Sequence, residues 1–110
     1  MRIIATPDFD KQFERLFKIY RRADLDLDSL VEALAAGPRP QDNRLFDESG
    51  AQMYKARLKN TSARSGTRSG FRVIYGVKSQ TIHLLLIYAK TRTPDIPDTE
   101  IRRIARKVYA

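Results

Sequence analysis

The segment Met53-Tyr54-Lys55-Ala56-Arg57-Leu58-Lys59 alternates between apolar and basic residues. Side chains of a β-strand point to opposite faces in turn, so this pattern predicts a strand with one apolar face and one cationic face. Lys55, Arg57 and Lys59 fall on the cationic face, where neighbours are about 7 Å apart along the strand. With that spacing, the cations of one strand can bind two adjacent phosphodiester groups.

Two more strands are predicted downstream, at residues 71–77 and 81–89. The second is an almost continuous apolar run, which is typical of a strand in the interior of a sheet, and we expect it to be central. Residues 77–80 are short enough for a hairpin connection. Residues 60–70 are rich in Ser, Gly and Arg, and predict a flexible basic loop at one end of the sheet.

The first half of the chain predicts a short strand at residues 1–5 followed by two helices. Thr6-Pro7-Asp8 supplies an N-cap, a proline at the first helical position and an early acid. The apolar stripe of the first helix comprises Phe9, Phe13, Leu16, Phe17 and Tyr20. The second helix carries Leu27, Leu30, Val31 and Leu34, with Asp28 as a plausible N-cap and Gly37-Pro38 as a stop. Residues 39–52 predict a surface loop with a brief extended piece around Leu45-Phe46.

The chain ends in a predicted amphipathic helix with Ile101, Ile104 and Val108 on one stripe and basic residues off it. The element order is therefore β-α-α-β-β-β-α. This order predicts a single α+β domain over residues 1–110, in which two N-terminal helices and a C-terminal helix pack on an antiparallel sheet. A length of 110 residues supports one core and no second domain.

The charge is unevenly distributed along the chain, which carries +8 in total. Residues 1–50 hold eight Lys/Arg and ten Asp/Glu, giving −2, whereas residues 51–110 hold thirteen and three, giving +10. A surface with this excess attracts a polyanion by electrostatic steering and counterion release. The absence of cysteine excludes disulfides, thiolate zinc sites and a cysteine nucleophile, and is compatible with the cytoplasm. No apolar run is long enough for a membrane span or a signal peptide.

The basic half offers few residues for metal or imidazole chemistry. Its conceivable ligands are His83, Asp95, Asp98 and Glu100, so a two-metal nuclease site is not expected. His83 lies inside an apolar strand and is expected to be a packed residue. Cleavage of RNA without a metal remains possible, because the ribose 2′-hydroxyl can attack the adjacent phosphate while cations stabilise the developing charge.

Three segments resemble the strand motifs of the RelE/HigB-type toxins of bacterial toxin–antitoxin systems. They are Met53-Tyr54-Lys55-Ala56-Arg57-Leu58, Gly70-Phe71-Arg72-Val73-Ile74-Tyr75 and Leu85-Leu86-Ile87-Tyr88-Ala89-Lys90. The resemblance covers nearly the whole chain, since the helices also fall in the family's order. It implies a ribosome-dependent mRNA endonuclease, free of cofactors, which is monomeric alone and is silenced in a hetero-oligomer with a cognate acidic antitoxin.

The resemblance also implies site residues. Lys55, Arg57, Arg72 and Lys90 match the positions that contact or cleave RNA in the family. The RNA-binding candidates are Lys59, Arg64, Arg68, Tyr88 and Arg92. Arg57 stands where some relatives have a lysine base, and a guanidinium cannot accept the 2′-hydroxyl proton, which leaves Lys55 or Lys59 for that role. The family's stacking tyrosine after the last strand is absent; Tyr75 or Tyr88 could replace it if either faced the groove, although core packing is expected for both.

Two other functions fit parts of the pattern. A ParE-like poison of DNA gyrase shares the expected fold. However, Tyr88-Ala89-Lys90 resembles the end of the last strand in the ribonuclease branch more than the His/Arg-rich ending of ParE-like chains. A non-catalytic basic RNA-binding module is the other, because the replaced base and the missing tyrosine both weaken the case for cleavage.

Overall fold

The computed structural model describes residues 1–109, and within them the chain forms five strands and three α-helices. In chain order these are β1 (Arg2–Ala5), α1 (Pro7–Ile19), α2 (Ala23–Leu34), β2 (Asn43–Glu48), β3 (Ala51–Leu58), β4 (Phe71–Lys78), β5 (Thr81–Ala89) and α3 (Asp98–Tyr109). A single turn of 3-10 helix lies at Thr61–Ala63. The predicted α+β class is confirmed. None of the three helices is long and apolar enough to cross a membrane.

The five strands form one sheet in the order β1-β5-β4-β3-β2. The pairs from β2 to β5 are antiparallel, but β1 runs parallel to β5, with Arg2 opposite Thr81. The expectation of a purely antiparallel sheet is therefore wrong, and the sheet is mixed. β5 is an interior strand, as predicted, although β4 is the middle of the five. β5 is buried over most of its length, and pairing with β4 on one edge and β1 on the other satisfies its backbone hydrogen bonds.

Two predicted boundaries in the acidic half are also wrong. The expected surface loop at residues 39–52 contains a full strand, β2, which includes the extended piece predicted at Leu45-Phe46 and pairs with β3 through a bulge between Arg44 and Asp47. The predicted element order β-α-α-β-β-β-α therefore lacks one strand. The second helix begins at Ala23, well before the predicted cap at Asp28. Its first turn is supported from outside, because the backbone N–H of Arg22 donates to Ser62 Oγ at 2.8 Å. That partner lies forty residues away in sequence and leaves no local signal.

The helices cover both faces of the sheet. α1 and α2 pack on one face, where Phe9 and Leu30 meet Val73 and Tyr75 in the larger core. α3 packs on the opposite face through Ile101 and Ile104, against a smaller core that includes Met53 and Ile74. Thr6 caps α1 as predicted, accepting from the backbone N–H of Phe9. The alternation in β3 therefore directs Lys55 and Arg57, like Met53, to the face that carries α3.

The turn between β4 and β5 consists of Ser79 and Gln80, both with positive φ (51° and 65°). Two-residue hairpin turns require this left-handed backbone, which non-glycine residues adopt at a cost.

We expect Gln80→Gly to raise the free energy of unfolding by about 0.5–1 kcal/mol, because glycine removes the Cβ clash at positive φ. Gln41→Gly is the matched control, since Gln41 is exposed and its φ is not positive. Urea unfolding of both variants tests the expectation. Equal destabilisation by the two glycines would contradict it.

Candidate nucleic-acid interface

A row of side chains crosses three strands on the face that carries α3. Arg57 of β3 is directly opposite Arg72 of β4, which is directly opposite Tyr88 of β5. Lys55 lies two residues before Arg57 on the same face. Lys90 follows the end of β5, next to Tyr88. We call Lys55, Arg57, Arg72, Tyr88 and Lys90 the cation row; it unites all four residues predicted to be catalytic.

Arg72 is the most buried member of the cation row, with only 4% of its surface exposed. Its Nη1 donates to the carbonyl oxygens of Thr67 (2.7 Å) and Phe71 (3.2 Å), and its Nη2 donates to that of Arg68 (2.7 Å). Burial and the neighbouring charge of Arg57 lower the pKa of Arg72. These hydrogen bonds hold the loop before β4 in place. Arg72 therefore positions Thr67 and Arg68 of that loop and contributes its positive charge from below the surface.

Lys90 and Asp95 form an ion pair at 2.7 Å. The hydroxyl of Tyr88 lies 3.4 Å from the same carboxylate oxygen. The hydrogen bond from Lys90 lowers the pKa of Asp95, and the charge of Lys55 adds to the effect. Burial and the charge of Asp95 raise the pKa of Tyr88, which therefore stays a neutral hydrogen-bond donor. Asp95 is an acid within the cation row that sequence reasoning did not assign to the site.

The predicted flexible loop at residues 60–70 is anchored to α2 through its first residues. Asp26 accepts hydrogen bonds from the backbone N–H (3.0 Å) and hydroxyl (2.9 Å) of Thr61. Asn60 is buried and pairs with Ser65 by an isolated bridge. The two arginines predicted to bind RNA backbone, Arg64 and Arg68, are exposed on this loop. Their positions are set by α2 on one side and by Arg72 on the other.

The remaining predicted residues lie at the margins of the cation row. Lys59 follows the last residue of β3 and is exposed, and Arg92 is exposed in the segment after β5. Tyr75 is fully buried on the opposite face, where its ring stacks on Tyr54 with centroids 5.2 Å apart. Core packing is therefore confirmed for Tyr75, while Tyr88, 7% exposed, borders both the core and the cation row.

Sequence reasoning also missed a second buried polar group, on the side of the sheet that carries Tyr75 and opposite the cation row. The Asp42 carboxylate is fully buried; it accepts from Arg39 Nε (2.9 Å) and Nη2 (2.7 Å) and from the Tyr75 hydroxyl (2.6 Å). Burial and this hydrogen bond raise the pKa of Tyr75. Arg39 Nη2 also donates to the carbonyl of Arg57 at 3.2 Å, where β2 no longer covers the edge of β3. The only local signal was the spacing of Arg39 and Asp42, which suits a turn.

His83 lies at the other end of β5, opposite Gly76 and outside the cation row. Its Nδ1 is 3.0 Å from the Tyr109 hydroxyl, and the two rings meet edge to face. Packing of His83 is thus confirmed. Burial and the charge of Arg2 lower its pKa, and burial raises the pKa of Tyr109 to about 12. Within residues 1–109, no group of three or more His, Asp or Glu side chains is arranged to hold a metal ion.

We expect Gly70→Ala to destabilise the protein by about 1–3 kcal/mol, because the added Cβ would overlap backbone. An ideal Cβ on Gly70 would lie 1.9 Å from the carbonyl oxygen of Leu58, and the Gly70 carbonyl accepts from the backbone N–H of Lys90. Gly66→Ala is the control on the same loop, since nothing lies within 4 Å of its Cβ position. Thermal unfolding should separate the two variants, and equal melting temperatures would contradict the predicted clash.

We expect stability to decrease as pH falls below about 6.5, the pKa of an unfolded histidine. His83 has a lowered pKa in the folded state, so the unfolded chain takes up its proton first. The charged groups near its ring are Arg2, which opposes protonation, and Lys78, which lies over the Tyr109 ring. Urea unfolding at pH 7.5 and 5.5 measures the effect, and His83→Gln should reduce the difference. An undiminished difference would assign the pH dependence to other groups.

Comparison with protein-family models and curated proteins adds no relative from which a function could be transferred. No protein-family model matches the chain, and no curated protein matches it. What this surface binds therefore has to be inferred from its own geometry and charge.

Proposed function

We propose that this protein is the toxin of a type II toxin–antitoxin system, an endoribonuclease that cuts messenger RNA on the ribosome without a metal ion. The observation that supports this most directly is the cation row, in which Lys55, Arg57 and Arg72 share one face of adjacent strands. A concentration of cations on an open sheet face is favourable when an anion lies over it. The cytoplasm, where messenger RNA is translated, is its proposed location.

The proposed reaction is attack of a ribose 2′-hydroxyl on the adjacent phosphate. The O2′–P bond forms and the P–O5′ bond breaks, leaving a 2′,3′-cyclic phosphate and a 5′-hydroxyl end. The 2′-hydroxyl proton goes to an unprotonated amine, for which Lys55 is the candidate, since the neighbouring Arg57 cannot lose a proton and so cannot act as the base. The departing O5′ takes a proton from water or from a neighbouring ammonium group. Arg57, exposed and opposite Arg72, would hold the phosphate oxygens as negative charge builds on them.

Some cations of the row are paired with an acid and others are not, and this difference supports an order in which they contact a phosphate. Lys55 and Arg57 have no acidic partner in the described chain, whereas Lys90 is paired with Asp95. Asp95 has 57% of its side chain exposed, so that pair is a weak surface interaction. An incoming phosphate would meet Lys55 and Arg57 free, and would then compete with Asp95 for Lys90.

An acidic antitoxin is the proposed partner. Residues 51–110 carry +10, and an acidic extended segment lying over the cation row would block access of RNA. Such a complex also relieves the repulsion among the basic side chains, which favours a hetero-oligomer over the free toxin. Gyrase poisoning, the ParE-like alternative, would leave messages intact.

RNA binding without cleavage is the second candidate function. The observation in its favour is the state of Arg72, whose Nη1 and Nη2 are bonded to loop carbonyls and not directed at a ligand. In that case the same face would hold a phosphate backbone by charge alone.

We expect Lys55→Ala and Arg57→Ala each to lower the rate of message cleavage by about a hundredfold or more, through loss of proton transfer or of charge stabilisation. The measurement is primer extension on messenger RNA in a translation extract supplied with each purified variant. Lys18→Ala is the matched control, because Lys18 is exposed on α1, which packs on the other face of the sheet. Circular dichroism checks that all three variants fold.

The wild-type result separates the candidate functions. Truncated messages support the ribonuclease. Intact messages in the presence of tight, salt-sensitive RNA binding would support the non-catalytic module, and intact messages with trapped gyrase–DNA complexes would support the ParE-like alternative.

A further inference from the structure

A pocket of about 330 Å³ lies at the end of β3, between α2, which packs on the face opposite the cation row, and Arg57, which belongs to the row. Its walls are Asp26 and Ser29 of α2, Arg39, the three consecutive residues 57–59, and Thr67. The pocket exists because β2 pairs with β3 only as far as Lys55, which leaves the last residues of β3 without a strand neighbour. Arg57 belongs both to the cation row and to this wall.

The cations of this pocket are not neutralised by its one acid. Arg57 and Lys59 are exposed and have no ion pair within the described residues. Arg39 is fixed by Asp42 and by the carbonyl of Arg57, which together engage its Nε and Nη2 and leave Nη1 without a protein partner in the described chain. The carboxylate of Asp26 is bonded to Thr61. The pocket therefore has a net positive charge that attracts anions, and the guanidinium of Arg39 is held rigidly in it.

A second cavity is also lined by basic residues. It has a volume of about 270 Å³, and it lies between α1 and α3. Its basic residues are Lys11, Arg15, Arg103 and Lys107, of which Arg103 and Lys107 are paired with Glu100 and Asp8, respectively. Both cavities therefore have cations without an acidic partner among residues 1–109, and the pocket at the end of β3 differs in that one of these cations, Arg57, also belongs to the cation row.

We propose that this pocket binds one nucleotide of the RNA, next to the nucleotide whose phosphate lies on the cation row; this rests on the proposed function. The phosphate of the bound nucleotide contacts Arg57, Lys59 and the free Nη1 of Arg39. The ribose and base fill the remaining volume against Leu58, with the hydroxyls of Ser29 and Thr67 available for hydrogen bonds. A volume of about 330 Å³ is at the lower end of small-molecule sites, enough for a mononucleotide and larger than a phosphate ion needs.

The shared position of Arg57 gives this pocket a role in cleavage. A nucleotide bound there fixes the RNA strand on one side of Arg57, while the scissile phosphate lies on the other side. Positioning of this kind lowers the entropic cost of in-line attack. The pocket is therefore a substrate subsite, and Arg39 acts in it both as a ligand and as a support for the backbone of Arg57.

The test is a titration of the ¹⁵N-labelled full chain with adenosine 5′-monophosphate at low salt, followed by amide chemical shifts. We expect shifts at Ser29, Leu58, Lys59 and Thr67. Lys59→Gln should weaken binding by roughly threefold to tenfold, the usual effect of losing one charge-assisted contact. Lys107→Gln is the matched control, since Lys107 lines the other cavity and should leave the affinity unchanged.

Binding and cleavage can fail separately in this design. Shifts confined to Lys55, Arg72 and Tyr88 would overturn the subsite and leave the proposed ribonuclease intact. Nucleotide binding in the pocket by a protein that leaves messages uncut would support the subsite and remove the proposed function. Equal affinity for adenosine, or displacement of the nucleotide by a lower concentration of hexaglutamate, would overturn the assignment to a nucleotide phosphate.

Discussion

Two arginines occupy directly opposed positions on neighbouring strands, and the surrounding structure is organised around this pair. Like charges at such positions normally weaken a sheet. Here the two side chains have different environments: Arg57 is exposed, and Arg72 is buried with hydrogen bonds to three backbone carbonyls. Those bonds satisfy a guanidinium that burial alone would penalise. The loop at residues 60–70 takes its course partly because it delivers these carbonyls.

The loop thereby connects α2 with the sheet face on the opposite side of the molecule. Asp26 holds Thr61 at one end of the loop, and Arg72 holds Thr67 and Arg68 at the other. A second connection passes through the core, from Tyr75 to Asp42 and Arg39 and then to the carbonyl of Arg57. The cationic surface is therefore supported by two buried polar groups, and no fully buried side-chain nitrogen or oxygen atom in the described residues lacks a hydrogen-bond partner. Buried polar groups that are satisfied in this way make a structure rigid.

Local patterns in the sequence predicted the parts of this arrangement that depend on local rules. Alternation in β3 placed Lys55 and Arg57 on one face, and Thr6-Pro7 marked the start of α1, because both signals lie within a few residues of what they determine. The parallel pairing of β1 and the early start of α2 depend on partners far along the chain. The alternation of apolar and polar residues did not indicate that Arg72 would be buried under the loop before β4, or that the carboxylate of Asp42 would be buried beneath Arg39. Those features follow from tertiary hydrogen bonds, which periodicity does not encode.

The pairing of β1 with β5 has a consequence for how the molecule is made. β1 is synthesised first, yet its only partner, which includes Thr81 opposite Arg2, is the last strand to be translated. Contacts that join distant parts of a chain form late and slowly, since the intervening residues must be ordered before the contact can form. A nascent chain that stops before β5 therefore lacks the partner of β1 and has no complete sheet. β5 also carries Tyr88 of the cation row, so the sheet and the cation row are completed in the same late step.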